Sequence, residues 1–291
     1  LDGEARFGLL LVAPSLLVLF AVSTAPLFLL LGASLFRIEL ARPWVGGFAG
    51  LQNYATMLSD PRFWHSLRIT GIYTVTTVIL QVGLGLTFAL ALSSALRGQG
   101  LLRVAVLLPM ILTPVVVGLV WRTLLLTPRY GLLDYLAIVL GIGSHSWLGD
   151  PGLALGAVIA MHTWQWTPFA FLVFAASLAA LPVEPYEAAE VDGATPWQRF
   201  RHLTLPLLRP ALVTVVVIRV IIALRAFDAI YAATGGGPGT ATEILNLYAY
   251  RVAFTSLNLG YGAALTTTLL VITAAATVAF GRLRSAVEAT P

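Results

Sequence analysis

No cysteine occurs in the 291 residues, so the chain offers no disulfide framework, no thiolate metal site and no cysteine nucleophile. Lysine is missing too, since all 17 basic residues are arginine. That removes the phosphate-gripping lysine of a P-loop and any Schiff-base chemistry, and if ATP is used another chain must bind it. Charge of either sign is scarce at 10% of residues, against 58% hydrophobic and a mean hydropathy of +0.89, which excludes a soluble domain and indicates a membrane protein. His65, His145, His162 and His202 stand far apart, outside any metal-ligand spacing. Neither a Ser/His/Asp set nor G-x-S-x-G appears, and no paired carboxylates do, so no catalytic residue is assigned and a membrane enzyme is disfavoured. The net charge of +4 comes from scattered arginines, which excludes a nucleic-acid surface.

What the chain has instead is long apolar runs. Measured against the roughly 20 residues needed to cross a bilayer, spans are expected near Leu9–Leu35, Leu67–Leu96, Val104–Leu126, Leu153–Ala180, Ala211–Ala232 and Leu259–Phe280, all within one domain over residues 1–291. The first run is longer than a signal-peptide core of about 7–15 residues and is read as a retained helix. Arg6, Arg97, Arg103, Arg199, Arg201, Arg209, Arg282 and Arg284 fall on the side of the termini, and Arg37, Arg42, Arg62, Arg129 and Arg251 on the other. The positive-inside rule therefore puts both termini and the loop 181–210 in the cytoplasm. Arg68, Arg122, Arg219 and Arg225 lie within or at the edge of spans; snorkelling is the reading for Arg68 and Arg122.

The loop 181–210 reads as two short helices around a glycine corner. Pro185 opens the first, Ala188 and Ala189 favour it, and Asp192-Gly193 supplies a left-handed stop. Thr195 then caps a second helix from Pro196, with Trp197, Phe200 and Leu203 on one face and Pro206 at its end. Tyr186, Trp197 and Phe200 would be wasted on water, and they read as a docking surface for a soluble partner.

Glu187-Ala188-Ala189, Gly193 and Leu203-x-Leu205-Pro206 stand at the spacing of the EAA signature, and the chain resembles the permeases of ATP-binding-cassette importers. Three stretches are similar to the carbohydrate-uptake permeases of the maltose, trehalose and glycerol-phosphate type: GLQNYATMLSDPRFWHSLRITGIYT (Gly50–Thr74), WQWTPFAFLVFAASLAALP (Trp164–Pro182) and LRAFDAIYAATGGGPGTATEIL (Leu224–Leu245). The resemblance implies an all-α integral membrane protein of about six transmembrane helices with a cytoplasmic coupling helix, in a bacterial or archaeal plasma (inner) membrane. It implies that Glu187, Ala188, Ala189, Asp192, Gly193, Leu205 and Pro206 couple the bundle to an ATPase. The implied partners are a second homologous permease, two ATPase subunits that bind ATP and Mg, and an extracytoplasmic sugar-binding protein. No cofactor or metal is expected in this chain. The cargo implied is a di- or oligosaccharide such as trehalose or maltose, with glycerol phosphate or a polyol as the alternative within the family and a secondary transporter as the more distant one.

Two further features bear on the path. GGGPGT (Gly235–Thr240) lacks the lysine of a phosphate cradle and reads as a tight external turn. Arg225 and Asp228 are three apart on the fifth expected span, hence on one helix face. Either they form an ion pair that pins the span's outer end, or they line the sugar pathway with Tyr231 as a stacking surface.

Overall fold

The computed structural model describes residues 3–42, 44, 46–92 and 99–288. Arg97 and the expected end of the second span at Leu96 lie outside these residues, as do the side chains of Arg6 and Arg284. The chain falls into two compact units, one of residues 1–64 and 248–271, the other of residues 65–247 and 272–291.

In the first unit, α1 (Gly3–Ser34) is 32 residues long, about 48 Å at the helical rise, and stays helical through Pro14 and Pro26. Within Leu10–Ser34 its most apolar 18-residue window has no buried residue, as expected of a helix that faces lipid or another subunit. A minimal antiparallel ladder follows, β1 (Phe36–Arg37) on β2 (Gly47–Phe48), with Phe36 opposite Phe48. Asp60, between α2 (Gln52–Ser59) and α3 (Pro61–Ala91), accepts hydrogen bonds from the hydroxyls of Tyr248 and Tyr261 and from the Arg62 N–H. One carboxylate thereby ties together segments almost two hundred residues apart in sequence.

The second unit is built around α7 (Pro151–Ala179), which is buried at Ala154, Val158, Met161, His162, Gln165, Ala170 and Phe174. Asp150 caps it through the Gly152 N–H, and Pro151 sits at its first position. Close approach of helices is made by small residues. A Cβ on Gly85 of α3 would lie 2.5 Å from Ala170 Cβ and 2.9 Å from the Phe171 nitrogen, whereas one on Gly83 meets nothing within 4 Å. Gly85→Ala is therefore expected to destabilise the protein by about 1–3 kcal/mol through overpacking, with Gly83→Ala close to neutral. The amount of chain still monodisperse after heating in detergent measures both.

Among the described residues three helices are long and apolar enough to cross a membrane: Leu10–Ser34, Pro61–Ala91 and Leu259–Arg282, the last within the C-terminal helix (Leu259–Glu288). Three bent pairs bring the spans to as many as six, the number read from the sequence, when each pair counts as one span. The third and fifth spans differ from the expected single rods. α4 (Gln99–Ile111) and α5 (Pro114–Val120) meet at 102°. Pro114 drives Thr113 out of the helical region to ψ 145, and the chain turns there. α11 (Arg209–Leu224) stops short of Ala232, at Arg225, and α12 (Asp228–Ala233) starts again after Phe227. The carbonyls freed at Arg225 and Ala226 accept from Asn246 Nδ2, which is how irregular backbone is tolerated at this depth.

Between α5 and α7, the short helix α6 (Leu132–Val139) is fixed by Asp134, whose carboxylate accepts from the His145 N–H, the Ser144 hydroxyl, the Arg129 N–H and Trp147 Nε1. These donors, the His145 N–H foremost, hold the Asp134 carboxyl below the usual carboxylate range. The Gly235–Thr240 segment is a turn held by Thr234 and Thr242, whose hydroxyls meet at 2.7 Å.

Candidate functional site

The loop 181–210 folds as the caps dictate. α8 (Glu184–Val191) carries Pro185 in its second position and ends at Gly193, whose φ of +75 a side chain would strain. The Ala194 N–H donates to the Ala189 carbonyl at 2.9 Å and the Gly193 N–H to the Glu190 carbonyl at 3.1 Å, a Schellman ending. Thr195 then opens α9 (Pro196–Arg199) with a full capping box: Gln198 N–H donates to Thr195 Oγ1 and the Thr195 N–H to Gln198 Oε1. The two helices are held together by Tyr186 on Thr204 at 3.0 Å and by an Arg199–Glu190 ion pair at 3.5 Å. Pro206 does not end the second helix. A π-turn over Phe200–Thr204 widens the coil where proline would clash, and helix α10 (Leu205–Leu207) continues to a 62° bend into α11.

Of the residues expected to couple, Glu187, Ala188, Asp192 and Gly193 are exposed, while Ala189, Leu205 and Pro206 are half-buried. Val191 and Trp197 stand out at 88% and 65% exposure. Tyr186 and Phe200, expected on the docking surface, are half-buried instead, Tyr186 against Thr204 and Phe200 beside Trp197. A groove of about 420 Å³ runs between the two helices, lined by Ala189, Asp192, Gly193, Arg199 and His202.

The second site is a cavity of about 270 Å³ among α3, α5, α7, α11 and α12. Its lining includes Tyr73, His162, Gln165 and Trp166 together with Arg225 and Asp228. Arg225 and Asp228 thus reach one cavity by a different route from that expected. The helix breaks between them, so they share no helix face, and no ion pair joins them among the described residues. Tyr231 is outside the lining; it is half exposed and stacks on Phe227, with ring centroids 5.3 Å apart. Arg68 and Arg122 are exposed.

Behind the wall lies Arg219, fully buried and without a carboxylate within ion-pair distance among the described residues. Its Nε donates to Gln81 Oε1 at 2.7 Å, its Nη2 lies 3.2 Å from His162 Nε2, and its guanidinium packs 4.7 Å above the Trp166 ring. Gln81 in turn donates to the His162 carbonyl. This cluster could not be assembled from the sequence, because its members are up to 138 residues apart. The signal available was an arginine in the middle of the fifth apolar run. Among the described residues no group of three His, Cys, Asp or Glu side chains converges as metal ligands would.

Against known proteins, residues 81–288 match the family described as binding-protein-dependent transport system inner membrane component. The trehalose/maltose transport system permease protein MalF of Thermococcus litoralis is 37% identical over 284 residues, covering 97% of this chain and 95% of that protein. The trehalose transport system permease protein SugA of Mycobacterium tuberculosis is 36% identical over 277 residues, 95% and 87% of the two chains. A chain from the crystal structure of a bacterial ABC transporter involved in the import of the acidic polysaccharide alginate shares the fold, with a TM-score of 0.82 over 99% of this chain and 98% of that one at 19% identity.

Proposed function

Because the chain belongs to the family of binding-protein-dependent transport system inner membrane components, we propose that it is the permease subunit of an ATP-driven sugar importer, with a di- or oligosaccharide such as trehalose or maltose as cargo. The chain is a transport subunit and makes or breaks no bond of its own. Its partners in this reading are a second permease, two ATPase subunits and a sugar-binding protein outside the membrane, with both termini and the loop 181–210 in the cytoplasm. The single permease domain over residues 1–291 belongs to the same proposal.

One observation carries the reading. The two helices that flank the coupling loop are two of the five that wall the cavity. α7 contributes His162, Gln165 and Trp166 and runs on towards α8, while α11 leaves the second coupling helix at Arg209 and reaches the cavity with Ile221 and Ile222. A displacement of the loop by the ATPases is delivered straight to the cavity walls, which is what alternating access requires. Glu187, Ala188, Ala189, Asp192, Gly193, Leu205 and Pro206 form the coupling element, and Arg225 and Asp228 offer charged hydrogen-bond partners to sugar hydroxyls leaving water. Tyr231 is the further candidate, its ring stacked on that of Phe227, which lines the cavity.

The test is uptake into proteoliposomes containing the permease pair, the ATPase and the binding protein, with labelled trehalose, maltose, glycerol phosphate and a polyol. Uptake of trehalose or maltose supports the reading; preference for glycerol phosphate moves the chain to the alternative, to which Arg225 is suited. Uptake driven by an ion gradient without ATP would make it a secondary transporter, for which Asp228 alone is thin provision. A related expectation follows from the missing lysine. The chain purified by itself shows no saturable nucleotide binding by equilibrium dialysis, and measurable binding would overturn the division of labour.

A further inference from the structure

A buried guanidinium with no carboxylate is expensive, and an apolar side chain of similar volume would fill the same space at less electrostatic cost. What Arg219 does with its donors gives a reason to keep it. A guanidinium only donates, so the nitrogen of His162 that faces it, Nε2 at 3.2 Å, accepts. The ring proton then sits on Nδ1. The same histidine is held at its main chain by Gln81 Nε2, and the Gln81 amide is itself oriented by Arg219 Nε on its oxygen. Trp166, one helical turn along α7 from His162, lies under the guanidinium. Both His162 and Trp166 line the cavity and Arg219 does not, although Ile222, one turn further along α11, does.

We infer that Arg219 is a positioning residue for the cavity: it fixes His162 as the Nδ1–H tautomer, so that the imidazole meets a sugar hydroxyl as a donor, and it holds Trp166 flat as the adjoining wall. The inference rests on the reading of this cavity as the sugar path. It assigns the cavity a division of roles, with the Asp228 carboxylate accepting and His162 donating. A sugar hydroxyl, which does both, is matched at two points by groups of opposite sense.

The experiment uses the assembled complex in nanodiscs, labelled with 15N-histidine, and the His162 resonances are identified by their loss in His162→Gln. The expected wild-type spectrum shows Nδ1 protonated and Nε2 bare. In Arg219→Met the ring shifts to the other tautomer or to a mixture. Trehalose uptake then falls about tenfold, the loss of roughly one hydrogen bond, while ATP hydrolysis stimulated by the loaded binding protein stays within about twofold. Arg219→Lys, which keeps a donor within reach of Nε2, is expected to restore the wild-type tautomer and part of the uptake. A wild-type His162 carrying its proton on Nε2 overturns the inference without any variant being needed. So does an Arg219→Met complex whose tautomer changes while uptake does not, or one in which uptake and hydrolysis fall together. Failure of the cavity as sugar path is read separately, from undiminished uptake by Asp228→Asn, and leaves the tautomer result standing.

Discussion

Gly193→Leu is expected to leave the chain inserted and joined to the second permease while sugar uptake falls by more than about 30-fold, the scale of losing an interface anchor worth about 2 kcal/mol. A Cβ at this position meets nothing within 4 Å, so a side chain can leave the backbone there without an immediate clash. The strain of a side chain at φ +75 is about 1–2 kcal/mol, absorbed locally in an exposed turn. Whatever exceeds that strain arises where the turn meets its partner. Gly193→Asn separates the two effects, because asparagine tolerates the left-handed conformation and still adds bulk. If the partner comes close to the turn, asparagine is as damaging as leucine; if only the backbone shape matters, it is nearly silent. Glu187→Lys is the companion change. The Glu187 carboxylate is exposed and bonds no other described side chain, so reversing its charge disturbs little within the subunit and much at a basic partner surface. Copurification of the ATPase subunits and hydrolysis stimulated by loaded binding protein measure the outcome. Normal assembly, hydrolysis and uptake in both Gly193→Leu and Glu187→Lys would remove the coupling role from this loop.

That loop was the most legible part of the sequence, and the reason is local. Its stop at Gly193 and its start at Thr195 depend on residues within five positions of one another, and those bonds form as the residue types require. The number of spans was legible for a similar reason, since a bilayer sets one length that apolar runs must meet. The breaks inside the third and fifth spans were not. Leu112, Ala226 and Phe227 keep the runs apolar across each break, and what stabilises the second break is Asn246, twenty residues on. Pro206 misled in the opposite direction, because a single π-turn lets a helix pass it. The cavity gathers Tyr73 and His162 from two helices and Arg225 from the break after a third, and no periodicity within one segment can report such a meeting. Arg225 and Asp228 stand out in the sequence as charges in a greasy run, and they do line the cavity although they share no helix face.

With the helix interrupted at 225–227 and no ion pair formed among the described residues, neither Arg225 nor Asp228 depends on the other for neutralisation. Asp228→Ala is then expected to assemble normally, losing only the favourable placement of an acid at the start of α12, about 0.3–1 kcal/mol. Transport is another matter. A sugar hydroxyl that gives up water for the cavity needs an acceptor there, and a charged acceptor contributes about 1.5–3 kcal/mol, so Asp228→Ala is expected to cut uptake roughly 10- to 100-fold. Asp228→Asn keeps the shape and a weaker acceptor and should fall between. The double change Asp228→Ala with Arg225→Leu makes that stretch of wall apolar and should transport no better than the single change, because hydrophobic surface cannot replace the lost hydrogen bonds. A structural pin predicts the reverse: poor assembly of Asp228→Ala, recovered by the double variant. Complex yield beside labelled-trehalose uptake distinguishes the two. Stimulated ATP hydrolysis, measured on the same preparations, should persist in every variant, since the groups altered here lie at the far end of α11 from the coupling loop. Full uptake by the apolar double variant would take both residues out of the sugar path.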